Sequence, residues 1–327
     1  MTHAIRFHTP GGPEVLRWEE VAVADVAPNE ARVRHHAVGL NFIDIYHRTG
    51  AYPLPLPSGI GLEAAGVVEA VGSAVSAATG IRAGDRVAYA GGPVGAYAEV
   101  RNIAADRLVT LPEAIDFKTG AAMMLQGMTA QYLLRRTCPI QAGDTILIHA
   151  AAGGVGLIVC QWARALGATV IGTVSSDEKA TLAKAHGCDH AIIYTRENFV
   201  ERVKEITGGK GVRVVYDSIG KDTFTGSLEC LRPLGMMVLF GAASGPVAPF
   251  DLGLLAKMGS LFITRPTLFT YTAQRSDLLA ISGDLFDVVV SGKVKIEVNQ
   301  TYALKDAAQA QIDLEARKTT GSTVLLP

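Results

Sequence analysis

An α/β fold, in which a doubly wound parallel sheet is inserted in a discontinuous β domain, is what this sequence predicts. Three observations carry it. Residues 1–124 read as short strands and turns, and residues 125–266 alternate apolar β-branched runs with helical segments. Residues 267–327 mix helices with strands again, as a tail that folds back on the first region. At 327 residues the chain is long enough for two domains with separate cores.

In the first region "RVRHHAV", "GVVEAVG", "DRVAYA" and "AYAEV" are β-type runs bounded by Gly, Pro and Asp. One short helical stretch, "NFIDIYHRTG", interrupts them. Then come "TILIHA", "TVIGTV", "HAIIY", "VRVVYDS", "MMVLFGA" and "LFIT", six runs separated by segments of helical character. A parallel neighbour needs a long crossover, so this alternation predicts βαβ units in a doubly wound sheet. The tail predicts a helix around 273–291, a strand "KIEVNQ", a helix near 305–317 and a closing strand "STVLLP".

With 49% hydrophobic and 19% charged residues, the chain is a packed globule and not a disordered one. Its net charge of −1 gives nucleic acid or an anionic membrane nothing global to hold. No apolar run is long and uninterrupted enough to span a bilayer, and the N-terminus lacks the pattern of a signal peptide. The 4 cysteines, Cys138, Cys160, Cys188 and Cys230, form no C-x-x-C pair. Reduced thiols in a cytoplasmic protein are the expectation.

The chemistry starts at "DTILIHAAAGGVGLIVCQWARAL". A strand, a glycine-rich turn and a helix follow in the order a dinucleotide-binding fingerprint requires. Free N–H groups and the positive dipole end of the helix suit a pyrophosphate. Gly153 lets backbone approach the phosphates and Gly156 lets helix pack on strand. Ala151 stands where the first glycine belongs, which is tolerable if φ stays negative there. The other reading of such a turn is purely structural, but five more βα units behind it favour a cofactor.

A carboxylate at the end of the second strand would hold the ribose of NAD and repel the 2′-phosphate of NADP. Here that strand runs into Ser175 and Ser176, with Lys179 one helical turn on. Hydroxyls and a cation suit a phosphate, so NADPH is the expected cofactor. Asp177 argues the other way, but it stands where a helix N-cap is expected.

These residues carry a resemblance. Gly143-Asp144-x-x-Leu147, Ala151-Ala152-Gly153-Gly154-x-Gly156 and Gln161-x-x-Arg164 resemble the signature run of the zinc-independent quinone oxidoreductases. These form the zeta-crystallin-like branch of the medium-chain dehydrogenase/reductases. The likeness spans essentially the whole chain, through "AVGLNFIDIYHRTGAYP", "AGDRV", "GAYAE", "LQGMTAQYLL" and "ARKTTGSTVLLP". It implies a GroES-like β domain, residues 1–124 plus 267–327, interrupted by a Rossmann NADPH-binding domain, residues 125–266. It also implies a homodimer in which edge strands of the two Rossmann sheets pair.

Related alcohol dehydrogenases place a catalytic Cys and His where Asn41 and Leu62 stand here; only Glu63 remains, and one carboxylate builds no zinc site. "HGCDH" offers His186, Cys188 and His190, but alternation at a helix-to-strand junction disperses them. A metal-free enzyme is expected. Hydride transfer without a Lewis acid suits acceptors that are already electrophilic, such as quinones and conjugated carbonyls, and needs hydrogen-bond donors in a dry pocket.

The resemblance places Asn41, Asp44, Tyr46 and Tyr52 near the nicotinamide. It sets Thr129 against that ring, and Ala152, Gly153, Gly154 and Val155 around the pyrophosphate. Ser175, Lys179 and Tyr194 would flank the 2′-phosphate. Ser218, Phe240 and Gly241 would line the strand ends, with Phe240 the candidate most easily explained as core. Arg317 would reach the cofactor from the tail. Quinone reduction is the first reading; reduction of 2-alkenals or enones by NADPH needs the same hydride. A non-catalytic NADPH-binding, crystallin-like protein is the third reading, and no basic, aromatic-interleaved patch supports RNA binding.

Overall fold

The computed structural model describes residues 1–327 as two compact units. One comprises Met1–Met128, Tyr271–Val290 and Ile296–Pro327; the other comprises Thr129–Thr270 and Ser291–Lys295. The seam runs through the middle of a helix, Phe117–Tyr132, which the change of sequence texture at residue 125 does not reveal. Ser291–Lys295 joins the second unit because Gln161 Nε2 donates to the Lys295 carbonyl at 3.0 Å and Lys295 N–H donates back at 2.8 Å.

The first unit is built on a seven-stranded sheet. Its long strand, Glu30–Leu40, alternates half-buried with buried residues at first and then becomes wholly buried, the pattern of a strand moving from sheet surface into core. The closing strand Ser322–Leu326 pairs antiparallel with it, Val324 opposite Gly39 and Leu325 opposite Val38. Val33, Val38, Val68, Val87, Tyr89, Ile103, Leu304 and Leu325 share one core. Residues distant in sequence therefore close the same domain.

Two strand boundaries differ from the sequence reading. "AYAEV" is not a continuous strand; the strand is Val100–Ala104, and before it Ala98 makes only an isolated antiparallel bridge with Ala4, through Ile5 N–H to the Tyr97 carbonyl and Glu99 N–H to the His3 carbonyl. "KIEVNQ" is displaced too, the strand being Val298–Ala303. In both cases β propensity marked the run but tertiary pairing set its ends.

The second unit is a six-stranded sheet, every pairing parallel. Across the sheet lie His190–Ile193, Thr169–Val174, Thr145–Ile148, Val212–Asp217, Leu231–Leu239 and Phe262–Thr264. The first strand in sequence sits in the interior, and the order reverses beside it. That is the topological switch point of a Rossmann sheet, where ligands bind outside the carboxyl ends of the strands. Ile146, Leu147, Ile148, Val214 and Val215 are fully buried on successive positions, as expected when both sheet faces are covered.

Candidate active site

In the second unit the glycine turn begins at His149, whose ring is tied to Thr173 Oγ1 at 2.9 Å and Ser227 Oγ at 3.0 Å. The left-handed residue of the turn is Ala150, with φ +55°. Ala151 stays outside that region, and the next strand makes room for it. A Cβ added at Gly172 would stand 2.5 Å from the Ala151 methyl. The glycine lost from the turn is thus compensated across the sheet.

Gly153 is the N-cap of the helix Gly154–Ala165, with φ −81° and ψ 173°, and no side chain caps this end. The helices Asp177–Ala185 and Phe199–Ile206 do carry side-chain caps, Ser176 and Asn198. The opening N–H groups at Gly154 and Val155 thus have no side-chain acceptor, as an incoming pyrophosphate requires. A Cβ at Gly156 would come within 2.3 Å of the Ala150 carbonyl, so glycine there lets the helix sit on the turn. Ala152, in the loop itself, is buried.

At the end of the second strand, Ser175 and Ser176 are half-buried and Asp177 and Glu178 exposed. Ser176, not Asp177, is the helix N-cap: its hydroxyl accepts the Lys179 N–H at 3.3 Å. The sequence reading of Asp177 as the cap is corrected here, because both residue types cap well and only the hydroxyl reaches the third N–H. Asp177 is instead held by Arg196, whose guanidinium donates to both carboxylate oxygens at 2.8 and 2.7 Å. Tyr194, exposed, follows the third strand on the adjoining loop.

Ser218 and Phe240 follow the next two strands. Phe240 N–H donates to the Asp217 carbonyl at 2.8 Å, and a Cβ at Gly241 would lie 2.6 Å from the Ser218 carbonyl oxygen, so these loops are closely packed. Phe240 is half-exposed, not core. Ala152 to Val155, Ser175, Tyr194, Ser218, Phe240 and Gly241 therefore all lie past the carboxyl ends of adjacent parallel strands. Thr129 is buried in the helix Phe117–Tyr132. Lys179 is half-buried in the first turn of its helix.

In the first unit Asn41 caps the helix Phe42–Thr49. Its backbone N–H donates to Asp44 Oδ2 at 2.9 Å, closing half of a capping box. The side chain is used elsewhere: Nδ2 donates to Glu63 Oε2 at 2.6 Å, and Oδ1 accepts from Gln126 Nε2 at 3.1 Å. Ser322 Oγ, on the closing strand, donates to Gln126 Oε1 at 2.6 Å. Leu125 N–H donates to the other Glu63 oxygen at 2.8 Å. Gly39 admits this packing, since a Cβ there would lie 2.4 Å from Glu63 Oε2. Asn41 is fixed in orientation with one N–H of its amide uncommitted.

Burial pushes the Glu63 carboxyl up to about 8, although Asn41 and Leu125 pull it down. Asp44, fully enclosed, is pushed up to about 7 by burial against the N–H of Asn41 and the hydroxyl of Tyr97, which donates at 2.9 Å. The helix Phe42–Thr49 and the residues after it also carry an aromatic wall. Phe42 meets Tyr46 edge-on at 5.3 Å, and Tyr46 meets Tyr52 at 5.1 Å. Ile45 and Asp44, on the same helix, are buried and take no part in these ring contacts. Tyr52 is 38% exposed and Tyr46 half-buried. Arg317 lies past the helix Ala307–Glu315 of this unit, exposed and left-handed at φ +59°.

Leu62, where the resemblance expects a metal ligand of related dehydrogenases, is buried in the apolar interior. His186, Cys188 and His190 are separated at their helix-to-strand junction: His186 bonds the Leu182 carbonyl, Cys188 is buried and His190 is exposed. No three His, Cys, Asp or Glu side chains are gathered as a metal site.

Residues 27–113 match the alcohol dehydrogenase GroES-like domain, and residues 154–279 match the zinc-binding dehydrogenase domain. Over its full length the chain is 55% identical to a quinone oxidoreductase of Pseudomonas aeruginosa, each covering 100% of the other. The chain belongs to the quinone oxidoreductase family of the medium-chain dehydrogenase/reductases. The Escherichia coli quinone oxidoreductase, solved in complex with NADPH, superposes with a TM-score of 0.97 at 52% identity, covering 99% of this chain and 100% of that one. A 2-haloacrylate reductase of a Burkholderia species is 49% identical, over 100% of this chain and 99% of its own.

Within this member of the quinone oxidoreductase family, sequence reasoning missed Gln126, Ser322, Tyr97 and Arg196. Gln126 and Tyr97 stand inside segments that carried the resemblance, "LQGMTAQYLL" and "GAYAE". Arg196 follows Tyr194 by two positions, and that proximity was the available signal.

Proposed function

We infer that this chain is an NADPH-dependent quinone oxidoreductase working without a bound metal. Its full-length likeness to the enzyme solved with NADPH carries the reading. The chain's own residues fit that cofactor: an uncapped helix start at Gly154, hydroxyls at Ser175 and Ser176, and a cation at Lys179. When bound, NADPH supplies the hydride. Ala152, Gly153, Gly154 and Val155 hold the pyrophosphate, and Ser175, Lys179 and Tyr194 hold the 2′-phosphate. Thr129, Ser218, Phe240 and Gly241 would complete the cofactor contacts of this unit.

A quinone takes up a hydride and a proton to become a hydroquinone, and negative charge develops on its oxygen as the hydride arrives. The remaining amide N–H of Asn41 and the hydroxyls of Tyr46 and Tyr52 are the donors for that charge. Glu63, Gln126 and Ser322 keep the Asn41 amide turned correctly, and Asp44 holds its backbone. The rings of Phe42, Tyr46 and Tyr52 exclude water and offer a flat acceptor an apolar surface.

The enzyme acts in the cytoplasm as a homodimer. No helix is long and apolar enough to cross a membrane, and all 4 cysteines are free. Phe262–Thr264 is the edge strand of the parallel sheet, with Phe262 55% exposed. An unpaired edge of that kind favours association, and Pro266, unable to donate, ends the pairing. Light scattering on micromolar protein should give the mass of two chains; a monomer would refute the edge-strand assignment.

NADPH oxidation followed with 1,4-benzoquinone, 9,10-phenanthrenequinone and 2-hexenal side by side tests the activity. Turnover of the quinones above 2-hexenal is expected. The reverse preference would make the chain an enone reductase, and silence on all three would make it a binding protein.

A further inference from the structure

In the second unit, the loop after Thr169–Val174 and the loop after His190–Ile193 are joined by three contacts. Tyr194 N–H donates to the Val174 carbonyl at 3.1 Å, and Thr195 Oγ1 donates to the Ser175 carbonyl at 3.2 Å. The third is the two-pronged grip of Arg196 on Asp177. That carboxylate opens a helix between Ser175 and Lys179, at the corner that discriminates the two nicotinamide cofactors. Left alone, it would repel a phosphate.

The geometry points to Arg196 as a determinant of cofactor choice, acting through Asp177: its fork neutralises that carboxylate and fixes it outside the phosphate corner. Asp177 and Glu178 stand against Lys179 and Arg196, which leaves the corner neutral. Glu178 is held on its own side by the Ser176 hydroxyl and by its backbone N–H. Without Arg196 the corner is net negative, and a phosphate dianion feels that charge directly. Both partners are well exposed, at 58% and 68%, so the pair contributes little to stability and its replacement leaves the fold intact.

This inference rests on the NADPH reading of the same site, and one set of titrations separates the two. NADPH and NADH are titrated by nicotinamide fluorescence into wild type, Arg196→Ala, Arg196→Ala/Asp177→Asn and Lys179→Ala. Arg196→Ala should raise the Kd for NADPH about tenfold and leave that for NADH unchanged. Adding Asp177→Asn should restore NADPH binding to near the wild-type value. The Arg196→Ala defect should shrink in about 0.5 M salt, where the Debye length falls to a few ångströms. An unchanged NADPH Kd in Arg196→Ala would overturn the inference. So would a defect that Asp177→Asn leaves in place, since Arg196 would then act on the phosphate itself. If wild type binds both cofactors equally and Lys179→Ala has no effect, the NADPH reading itself fails.

Discussion

Asn41 Nδ2 donates to Glu63 Oε2 at 2.6 Å, and both side chains are buried. Glu63 is held near 8 and its neighbour Asp44 near 7, both raised by burial. A carboxyl whose folded pKa is raised contributes stability below its unfolded pKa and loses it as pH rises through the folded value. For Glu63 that window runs from about 4.5 to 8, and for Asp44 from about 3.8 to 7. Each pH unit inside it costs about 1.4 kcal/mol per group. Buried His35, held near 3, and His149 and His47, also lowered by burial, add stability as pH rises to about 6.5, so the carboxyl effect is read above that value. Urea midpoints should fall from pH 6.5 towards pH 8, and Glu63→Gln should flatten the slope. A wild-type midpoint that rises over this range would contradict the burial argument.

On the proposed reading Lys179 would supply a cation to the 2′-phosphate and nothing to NADH. A charge-assisted bond of this kind is worth about tenfold or more in affinity. Lys179→Ala should therefore weaken NADPH by at least that factor in a fluorescence titration, with the NADH curve unmoved. Equal losses for both cofactors would mean that Lys179 supports the loop instead.

The legibility of this site followed sequence distance. The glycine turn was readable because strand, turn and helix are contiguous and each has its own residue signature. Its compensation at Gly172 was not, because the contact with Ala151 exists only once two strands lie side by side. Asn41 was readable as a candidate, but Gln126 is 85 positions from it and Ser322 another 196 beyond Gln126. The choice between Ser176 and Asp177 as cap turned on a single hydroxyl geometry. The Arg196–Asp177 pair was not legible, because it forms only where two loops 19 positions apart meet. The doubly wound sheet was legible throughout, since its hydrophobic runs and helical intervals repeat.

The Ala151–Gly172 contact predicts a rescue. Gly172→Ala sets a methyl 2.5 Å from the Ala151 methyl and 2.8 Å from Cys188 Sγ. Overpacking of this kind costs about 1–3 kcal/mol. Adding Ala151→Gly should recover much of the loss, because it removes the closer clash. Urea unfolding of the two singles and the double gives the coupling; strict additivity would show that the two positions do not compensate each other.

Asn41 and Leu62 stand where zinc enzymes of this superfamily carry ligands, so quinone turnover should survive exhaustive treatment with chelator. Elemental analysis of the purified protein checks the same point. One tightly held zinc per chain, with activity lost on its removal and restored on its return, would overturn the metal-free mechanism.

Tyr46 and Tyr52 share the aromatic wall but differ in exposure, and Tyr52 is the more accessible phenol. Tyr52→Phe keeps the ring and removes the donor. It should lower kcat for 1,4-benzoquinone about tenfold or more while leaving the NADPH Kd unchanged, the mark of a bond that strengthens as charge develops. Unchanged turnover would leave Asn41 as the principal donor.

The central claim is that NADPH delivers two electrons to a quinone on this chain. The most direct measurement counts NADPH consumed against hydroquinone formed, with 1,4-benzoquinone as acceptor and a protein-free control subtracted. The account predicts protein-dependent consumption with one hydroquinone per NADPH, and much slower consumption when NADH replaces it. Consumption no faster than the control would contradict it.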